Sequence, residues 1–190
     1  MIDILLAGVG GQGTVLAAKV LAQAAQNKGW QVRTAETIGM AQRGGSVASH
    51  VRGGHPQSPL VPLGCADCII AFEPGEAVRC IDYLAPGGTV IVNTQAVQPP
   101  VAALQNIDYD GAEALSYLRS LPDIRLVEVD GASICEQVGS PKVLNIALLA
   151  AAVDSGTLGI TREELENAVR GRVHPRFHEM NLNAIALVCA

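Results

Sequence analysis

The hydrophobic and polar positions of the first thirty residues predict a strand, a glycine loop and a helix in that order. Residues 2–7 are an apolar run that only Asp3 interrupts, and residues 14–28 are rich in Ala, Leu and Val up to Gly29. Between them lies Gly8-Val9-Gly10-Gly11-Gln12-Gly13. Apolar segments of these lengths, separated by glycine, are typical of a strand followed by a helix.

Two later runs, Cys68–Phe72 and Thr89–Asn93, show no alternation of apolar and polar residues, and the only polar residues are Thr89 and Asn93 at the ends of the second run. Strands that are buried on both faces of a parallel sheet have this pattern. Between the two runs we predict a helix from Glu73 to about Tyr83 and a turn at Ala85–Gly88. This order is the βαβ arrangement of an open α/β sheet.

The strand predicted at Ser46–Arg52 alternates in polarity and follows a strand at Gln31–Thr34 without room for a helical crossover. It is therefore the expected antiparallel member of the sheet. We predict one domain over residues 1–190, with a three-layer α/β/α fold. Its sheet is mixed and mostly parallel, with a Rossmann-like N-terminal βαβ unit, and the two apolar runs are central strands.

The remaining pattern predicts further helices and one strand. They are a helix at Ala112–Ser120, a strand at Arg125–Asp130, and helices at Ala132–Val138, Lys142–Asp154, Arg162 to about Val169 and Phe177–Val188. Ser140 and Pro141 suit the start of the helix at Lys142–Asp154. Thr161-x-x-Glu164 has the form of a capping box at the start of the next helix.

The helix at Lys142–Asp154 is almost wholly apolar after Asn145. Such a helix is buried all round, either in the core or in a subunit interface. We expect this helix, or the surface of low charge near it, to support assembly with a partner chain.

The composition excludes some classes of function. Charged residues make up only 16% of the chain, the formal net charge is −5 and aromatic residues are 3%. A base-stacking or generally basic nucleic-acid binder is therefore not expected. The longest apolar run, Ile146–Val153, is too short to span a bilayer and the N-terminus has no basic head, so we expect a cytoplasmic protein.

The glycine loop is a candidate phosphate cradle, built from Gly8, Gly10, Gly11, Gln12 and Gly13. Glycines let the backbone approach a ligand, and a helix N-terminus favours an anion. The alternative is a turn that only lets helix and sheet pack closely. A dinucleotide site would also need an acidic residue after the second strand, for which Glu36 is the candidate.

The stretch from residue 37 to residue 66 contains no Asp or Glu, although the chain is acidic overall. It carries Arg43, Gly44, Gly45 and Ser46. We expect it to form one anion site together with the glycine loop, with Arg43 making a two-point contact to a phosphate or carboxylate. The alternative is a solvated hairpin, or an arginine that is bound within the chain to a carbonyl or to Glu36.

Metal binding is not expected. The five cysteines include only one C-x-x-C pair, Cys65 and Cys68, which cannot supply four ligands. His174 and His178 lie among arginines and favour a solvated basic face. Ser49 and His50 point to opposite faces of a strand, so they cannot form a hydrolase pair.

The chain resembles the gamma subunit of 2-oxoacid:ferredoxin oxidoreductases over nearly its whole length, and three segments carry this resemblance. They are Gly8–Gly13, the stretch Gly39-Met40-Ala41-Gln42-Arg43-Gly44-Gly45-Ser46 that continues to Arg52, and Asn181-Leu182-Asn183-Ala184. Cys65-Ala66-Asp67, Glu73-Pro74 and Gly88 to Thr94 are similar to further segments of that family. The Gly-Met-Ala-Gln-Arg-Gly-Gly-Ser form most resembles the small beta subunit of the indolepyruvate branch.

The resemblance implies a function for a complex rather than for this chain alone. The family decarboxylates 2-oxoacids oxidatively with thiamine diphosphate and coenzyme A, and passes electrons through iron–sulfur clusters to ferredoxin. The thiamine and the clusters are implied to lie on large partner subunits. This chain would then hold no cofactor tightly, be inactive alone and complete the active-site region, and the substrate would be indolepyruvate or another aryl or other 2-oxoacid.

Two other functions remain open on the sequence. The glycine loop and Glu36 would suit a free-standing NAD(P)-dependent dehydrogenase. The loop alone would suit a nucleotide-binding regulatory module.

Overall fold

The computed structural model describes residues 1–38, 45–98 and 108–189. The strands are β1 (Ile2–Val9), β2 (Gln31–Ile38), β3 (Ser46–Gly54), β4 (Ala66–Ala71), β5 (Leu84–Asn93) and β6 (Arg125–Val129). The helices are α1 (Thr14–Asn27), α2 (Pro74–Arg79), α3 (Ala112–Ser120), α4 (Gly131–Val138), α5 (Leu144–Asp154), α6 (Arg162–Arg172) and α7 (His178–Val188). Short 3-10 turns lie at Ile81–Tyr83, Pro141–Val143 and Pro175–Phe177.

The six strands form one mixed sheet in the order β2-β3-β1-β4-β5-β6. The pairs β1–β4, β4–β5 and β5–β6 are parallel, whereas β3 is antiparallel to both β1 and β2. The predicted antiparallel strand is therefore confirmed. The two apolar runs lie in β4 and β5, inside the sheet, as predicted.

The N-terminal β1–α1–β2 unit is present, but its two strands are not neighbours. Strand β3 lies between them and pairs with β1 from Ile2↔Gly53 to Val9↔Ser46. Strand β2 is consequently an edge strand of the sheet.

Helices cover both faces of the sheet, which confirms the three-layer fold. Successive residues of a strand point to opposite faces. Ile4 and Leu6 of β1 pack in one core with α1, α5, α6 and α7. Leu5 and Ala7 pack in a second core with α2 and α3.

Helix α5 lies in the first of these cores. Its residues from Asn145 to Val153 are all buried within the chain itself. The core alternative is therefore right for this helix. Its burial leaves the expected role in assembly to the surface of low charge near it, and that role stays a prediction. Burial all round, with no polar face to place in water, explains why the helix shows no amphipathic period.

Two predicted boundaries differ from the structure. The turn expected at Ala85–Gly88 lies within β5, where the register to β4 shifts and Gly87 takes a φ of 74°. The helix expected from Glu73 to Tyr83 ends at Arg79 and is followed by a 3-10 turn. Among the described residues, no helix combines the length and apolarity needed to cross a membrane.

Candidate functional site

The carboxyl edge of the sheet brings the glycine loop next to the ends of the other parallel strands. Helix α1 follows β1 onto one face, whereas α2 follows β4 onto the other. Neighbouring strands whose connections leave toward opposite faces open a crevice between them, and ligands of α/β proteins bind there. Because β3 is antiparallel, its first residue Ser46 lies at this same edge, paired with Val9.

The first half of the glycine loop is bound internally. The side chain of Gln12 accepts a hydrogen bond from the Val9 N–H at 2.7 Å and donates one to the Phe72 carbonyl at 3.2 Å. The Gly10 N–H donates to the Gly45 carbonyl at 2.9 Å. The loop and the segment at Gly45 and Ser46 therefore meet, as predicted, but the amides of Val9 and Gly10 already have acceptors.

Two of the glycines are required by close contacts. A Cβ on Gly8 would lie 2.8 Å from Gln12 Oε1 and 3.0 Å from Phe72 Cβ. A Cβ on Gly13 would lie 2.9 Å from Asn145 Nδ2, and Gly13 has a φ of 83°, which favours glycine. Packing thus explains these two positions whether or not the loop binds a ligand.

The second half of the loop has the electrostatic character that the sequence predicts. Gly13 occupies the N-cap of α1 and has no side chain with which to cap it. The first helical hydrogen bond runs from the Ala17 N–H to the Gly13 carbonyl at 3.0 Å, so the amides of residues 14–16 precede it. These groups and the helix dipole favour a negative charge.

This half of the loop borders a cavity of about 470 Å³, which we call the helical cavity. Its wall combines the loop with the starts of α5 and α7. The lining residues are Gly11, Gln12, Gly13, Leu16, Pro141, Lys142, Leu144, Asn145, Val173, Phe177, Met180 and Asn181.

A second cavity of about 280 Å³, the acidic crevice, lies at the other side of the loop. It is lined by Val9, Ser46, Glu73, Gly75, Glu76, Arg79, Val97 and Tyr109. Ser46 Oγ donates to Glu76 at 2.5 Å, and Tyr109 OH donates to Glu73 at 2.5 Å. Burial and this hydrogen bond raise the pKa of Tyr109.

The acidic crevice changes the electrostatics of the predicted two-part cradle. Glu73 and Glu76 are buried, and Ser46 donates its hydroxyl to the second of them. Two carboxylates repel a phosphate unless a cation lies between them and the phosphate. Arg43 and Gly44 lie outside the described residues, so the role predicted for Arg43 stays a prediction.

Sequence reasoning missed the polar groups that end the buried strands. Glu73 caps α2 by accepting the Glu76 N–H at 3.0 Å. Asn93, which is 1% exposed, donates to the Phe72 carbonyl at 3.1 Å. Both residues stand at the boundary of an apolar run, and this position was a usable signal. Tyr109 gave no such signal because it lies far from Glu73 along the chain.

Other polar residues of the acid-free segment have structural roles. Arg52 makes a two-point ion pair with Asp3 at 2.7 and 2.9 Å. This buried pair lies at the start of β1, whereas the glycine loop follows the end of that strand. His50 Nδ1 accepts the Val61 N–H at 3.2 Å, and burial lowers the pKa of this histidine. Neither side chain reaches the carboxyl edge of β1.

The cysteines and histidines are dispersed. All five thiols are free, with Cys65 exposed and Cys68 buried. Burial raises the pKa of Cys68 to about 12 and that of Cys80 to about 11. Among the described residues, no three His, Cys, Asp or Glu side chains are grouped so that they could hold a metal ion.

The acidic residue that a dinucleotide site requires is misplaced. Glu36 lies exposed on the edge strand β2, and β3 separates that strand from β1. A ribose-binding carboxylate belongs on the strand next to β1. The geometry therefore weighs against the dehydrogenase alternative.

Comparisons with known proteins agree with this fold. Residues 3–189 match the family model "Pyruvate ferredoxin/flavodoxin oxidoreductase". The indolepyruvate oxidoreductase subunit IorB of Archaeoglobus fulgidus is 36% identical over 98% of this chain and 92% of its own length. The same subunit of Pyrococcus horikoshii is 32% identical over 97% and 93%.

A solved structure is similar over the full length. It is the gamma subunit of a keto/oxoacid ferredoxin oxidoreductase from Geobacter sulfurreducens, with a TM-score of 0.72 and 25% identity. The match covers 100% of this chain and 96% of that one. The chain therefore belongs to the pyruvate ferredoxin/flavodoxin oxidoreductase family, as a small, gamma-type subunit of a 2-oxoacid:ferredoxin oxidoreductase.

Proposed function

We propose that this chain is the small subunit of an oxidoreductase that acts on indolepyruvate or another aryl 2-oxoacid. The complex decarboxylates the 2-oxoacid oxidatively to an acyl-coenzyme A and passes the electrons to ferredoxin. The observation that carries the proposal is the 36% identity to an indolepyruvate oxidoreductase subunit over nearly the full length of both chains.

The chain completes the active-site region, while large partner subunits hold the thiamine diphosphate and the iron–sulfur clusters. Its own cysteines support this division. Cluster ligands are thiolates, and the buried Cys68 and Cys80 have pKa values that disfavour the thiolate. The other three thiols lie on different elements, with Cys65 directly before β4, Cys135 in α4 and Cys189 at the end of α7.

The carboxyl edge is the surface that faces the partner's cofactors. Gly8, Gly10, Gly11, Gln12 and Gly13 place the positive end of α1 there, and Gly45 and Ser46 lead into β3 at the same edge. Arg43 supplies a guanidinium to an anionic group, such as a phosphate of coenzyme A or a partner carboxylate. In the acidic crevice, the ion pair of Arg79 with Glu76 at 3.2 Å offsets part of the carboxylate charge that would repel such a group.

Reconstitution tests the function of the complex. The large subunit should oxidise indolepyruvate with coenzyme A and ferredoxin only when this chain is added, and neither chain should do so alone. Pyruvate and 2-oxoglutarate serve as competing substrates. Full activity of the large subunit without this chain would contradict the proposal, whereas a preference for 2-oxoglutarate would contradict only the substrate.

Arg43→Lys in the assembled complex tests the site. A two-point contact to coenzyme A predicts an intact complex with a raised KM for coenzyme A, because an ammonium cannot replace the planar fork. A contact to a partner carboxylate predicts weaker assembly instead. The matched control is Arg170→Lys on the exposed face of α6. Normal assembly and kinetics in both variants would show that Arg43 has no such role.

A further inference from the structure

The connection between β3 and β4, residues 55–65, is an uncharged and apolar part of the surface. It contains no Asp, Glu, Lys or Arg. Only Pro56 and Val61 are buried, and its other residues are all exposed. We call this segment the leucine loop, because Leu60 is 48% exposed and Leu63 is 66% exposed. A surface without charge that exposes large apolar side chains matches the composition of the buried centre of a protein interface.

Hydrogen bonds from β3 hold the middle of the leucine loop in place. The buried Arg52 donates to the carbonyls of Ser58 and Leu60 at 3.3 and 3.1 Å. The buried His50 accepts the Val61 N–H at 3.2 Å through Nδ1. These contacts fix the backbone of the loop while its two leucines face water. A segment that is already ordered loses little conformational freedom when a partner binds.

Both ends of the leucine loop are fixed as well. Arg33 Nε donates to the Pro56 carbonyl at 2.9 Å, and the Gly64 N–H donates to the Asp82 carbonyl at 2.8 Å. Each of the two exposed leucines directly follows a proline, whose ring restricts φ. The exposure of the leucines is therefore built into the fold and does not result from a loosely held loop.

The leucine loop lies on the same face of the sheet as the acidic crevice. Val61, which is 2% exposed, packs in the second core together with Ala77 of α2. The same helix supplies Glu76 and Arg79 to the lining of the acidic crevice. A chain that covers the crevice at the carboxyl edge can therefore continue along α2 to the loop.

The shape of the leucine loop distinguishes a second copy of this chain from a different chain. Since all but two of its residues are exposed, the loop forms a ridge on the surface. A two-fold dimer places the same patch of both copies in contact, and two ridges in contact bury little area. An apolar groove on a non-identical chain is complementary to such a ridge.

We propose that the leucine loop docks into an uncharged, apolar groove of the large partner subunit, with Leu60 and Leu63 as the anchoring side chains. A few well-buried anchors of this kind carry most of the binding energy of an interface. The inference rests on the proposed function, which supplies a partner that is a different chain. It adds to that function a contact surface that is separate from the glycine loop.

Calorimetric titration of this chain into the large subunit tests the docking. The double variant Leu60→Ser, Leu63→Ser should bind at least about thirtyfold more weakly, because the apolar area of both anchors is lost. The double variant Leu60→Met, Leu63→Met keeps their size and apolarity, and should bind within about threefold of the unmodified chain. Leu187→Ser is the control, since Leu187 is 45% exposed on α7, which covers the opposite face of the sheet. It should leave the affinity unchanged.

Cys65 allows a second measurement without any substitution. It is the exposed thiol at the end of the leucine loop, whereas Cys68 and Cys80 are buried. Assembly with the large subunit should slow its alkylation by iodoacetamide at least about tenfold, because thiol reactivity requires access. Mass spectrometry of the alkylated peptides measures this rate. Cys135, which is half-buried in α4, serves as the internal reference.

The outcomes separate this inference from the proposed function. If the unmodified chain binds the large subunit and restores its activity, equal affinity of the serine variant or unprotected Cys65 would overturn the docking and leave the function standing. A dimer of the isolated chain that the serine variant abolishes would overturn it in favour of a second copy. Failure of the unmodified chain to bind the large subunit at all would contradict the proposed function, and the docking with it.

Discussion

Asp3 and Arg52 show how a single pair of side chains can hold two strands of this sheet in register. The two residues are opposite each other on β1 and β3, and both are buried. Arg52 also donates to the carbonyls of Ser58 and Leu60, at 3.3 and 3.1 Å. Asp3 and Arg52 are only 4% and 8% exposed, so water cannot readily replace a lost partner of either side chain. The bonds from Arg52 to the two carbonyls tie the loop after β3 to the sheet.

Asp3→Asn removes the charge that neutralises Arg52. We expect a loss of about 3 kcal/mol in the free energy of unfolding, because a buried charge without its partner is strongly unfavourable. Urea denaturation followed by circular dichroism measures this change. Glu128→Gln is the control, since the Arg119–Glu128 pair is similarly short but exposed. An equal loss in the two variants would show that burial of the Asp3–Arg52 pair does not matter.

Gln12 connects the glycine loop to the neighbouring strand. Its carboxamide accepts the Val9 N–H and donates to the Phe72 carbonyl. The glycines of the loop have no side chains with which to make such hydrogen bonds. Gln12→Glu puts a carboxylate oxygen where Nε2 donated. We expect lower thermal stability than for Gln12→Ala, because two acceptors would then face each other. Differential scanning calorimetry compares the variants, and a higher Tm for Gln12→Glu would contradict this reading.

The start of α6 is the clearest case of an element whose ends are specified locally. Thr161 Oγ1 accepts the Glu164 N–H at 3.2 Å, and Glu164 accepts the Thr161 N–H at 2.7 Å. Glu164 also pairs with Lys28 at 3.2 Å, which joins α6 to the end of α1. The predicted capping box is therefore present, and through Lys28 its Glu164 also connects α6 to α1.

The hydrogen bond from the Thr161 N–H lowers the pKa of Glu164 below its ordinary value of 4.5, and Lys28 adds to this effect. The folded state therefore prefers the ionised carboxylate. The stability that this preference contributes is present above about pH 4.5 and is lost as the pH falls through the lowered pKa. In Glu164→Gln, the free energy of unfolding should therefore fall less steeply as the pH is lowered from 7 to 3. Urea denaturation over this pH range measures the change. Glu163→Gln, at the exposed neighbouring position, should keep the slope of the unmodified chain.

At the scale of the whole molecule, stability is concentrated in the middle of the sheet. Strands β1 and β4 are neighbours and carry core residues on both faces, whereas β2 is an edge strand with mostly exposed residues. Local opening is easier where few buried contacts hold the backbone. At the carboxyl edge, the internally hydrogen-bonded glycine loop is therefore separated from the exposed strand β2 by β3.

Hydrogen exchange should reveal this gradient. We expect the amides of β1 and β4 to exchange only through global unfolding, and those of β2 to exchange at least about tenfold faster. Mass spectrometry of peptides from the labelled chain measures both. Equal protection of β2 and β4 in the isolated chain would contradict the predicted gradient.

The sequence by itself determined the elements whose partners are local or whose burial is complete. The apolar runs of β4 and β5 and the helix α5 were predictable because burial on all sides leaves no polar position. The caps at Ser140 and Thr161 were predictable because a cap and its helix are neighbours along the chain. The turn expected at Ala85–Gly88 failed because glycine and proline also occur where a strand changes register.

Only the tertiary structure decided which residues of the candidate site face each other. Strand β3 lies between β1 and β2, so Glu36 is moved away from the glycine loop and Ser46 is brought to it. Asn181 lines the same cavity as Gly13 at the start of α1, and Tyr109 donates a hydrogen bond to Glu73, in both cases from distant parts of the chain. Local periodicity records which face of an element is buried but not which element covers it. The division of the loop between an acidic crevice and a helical cavity therefore depends on long-range packing.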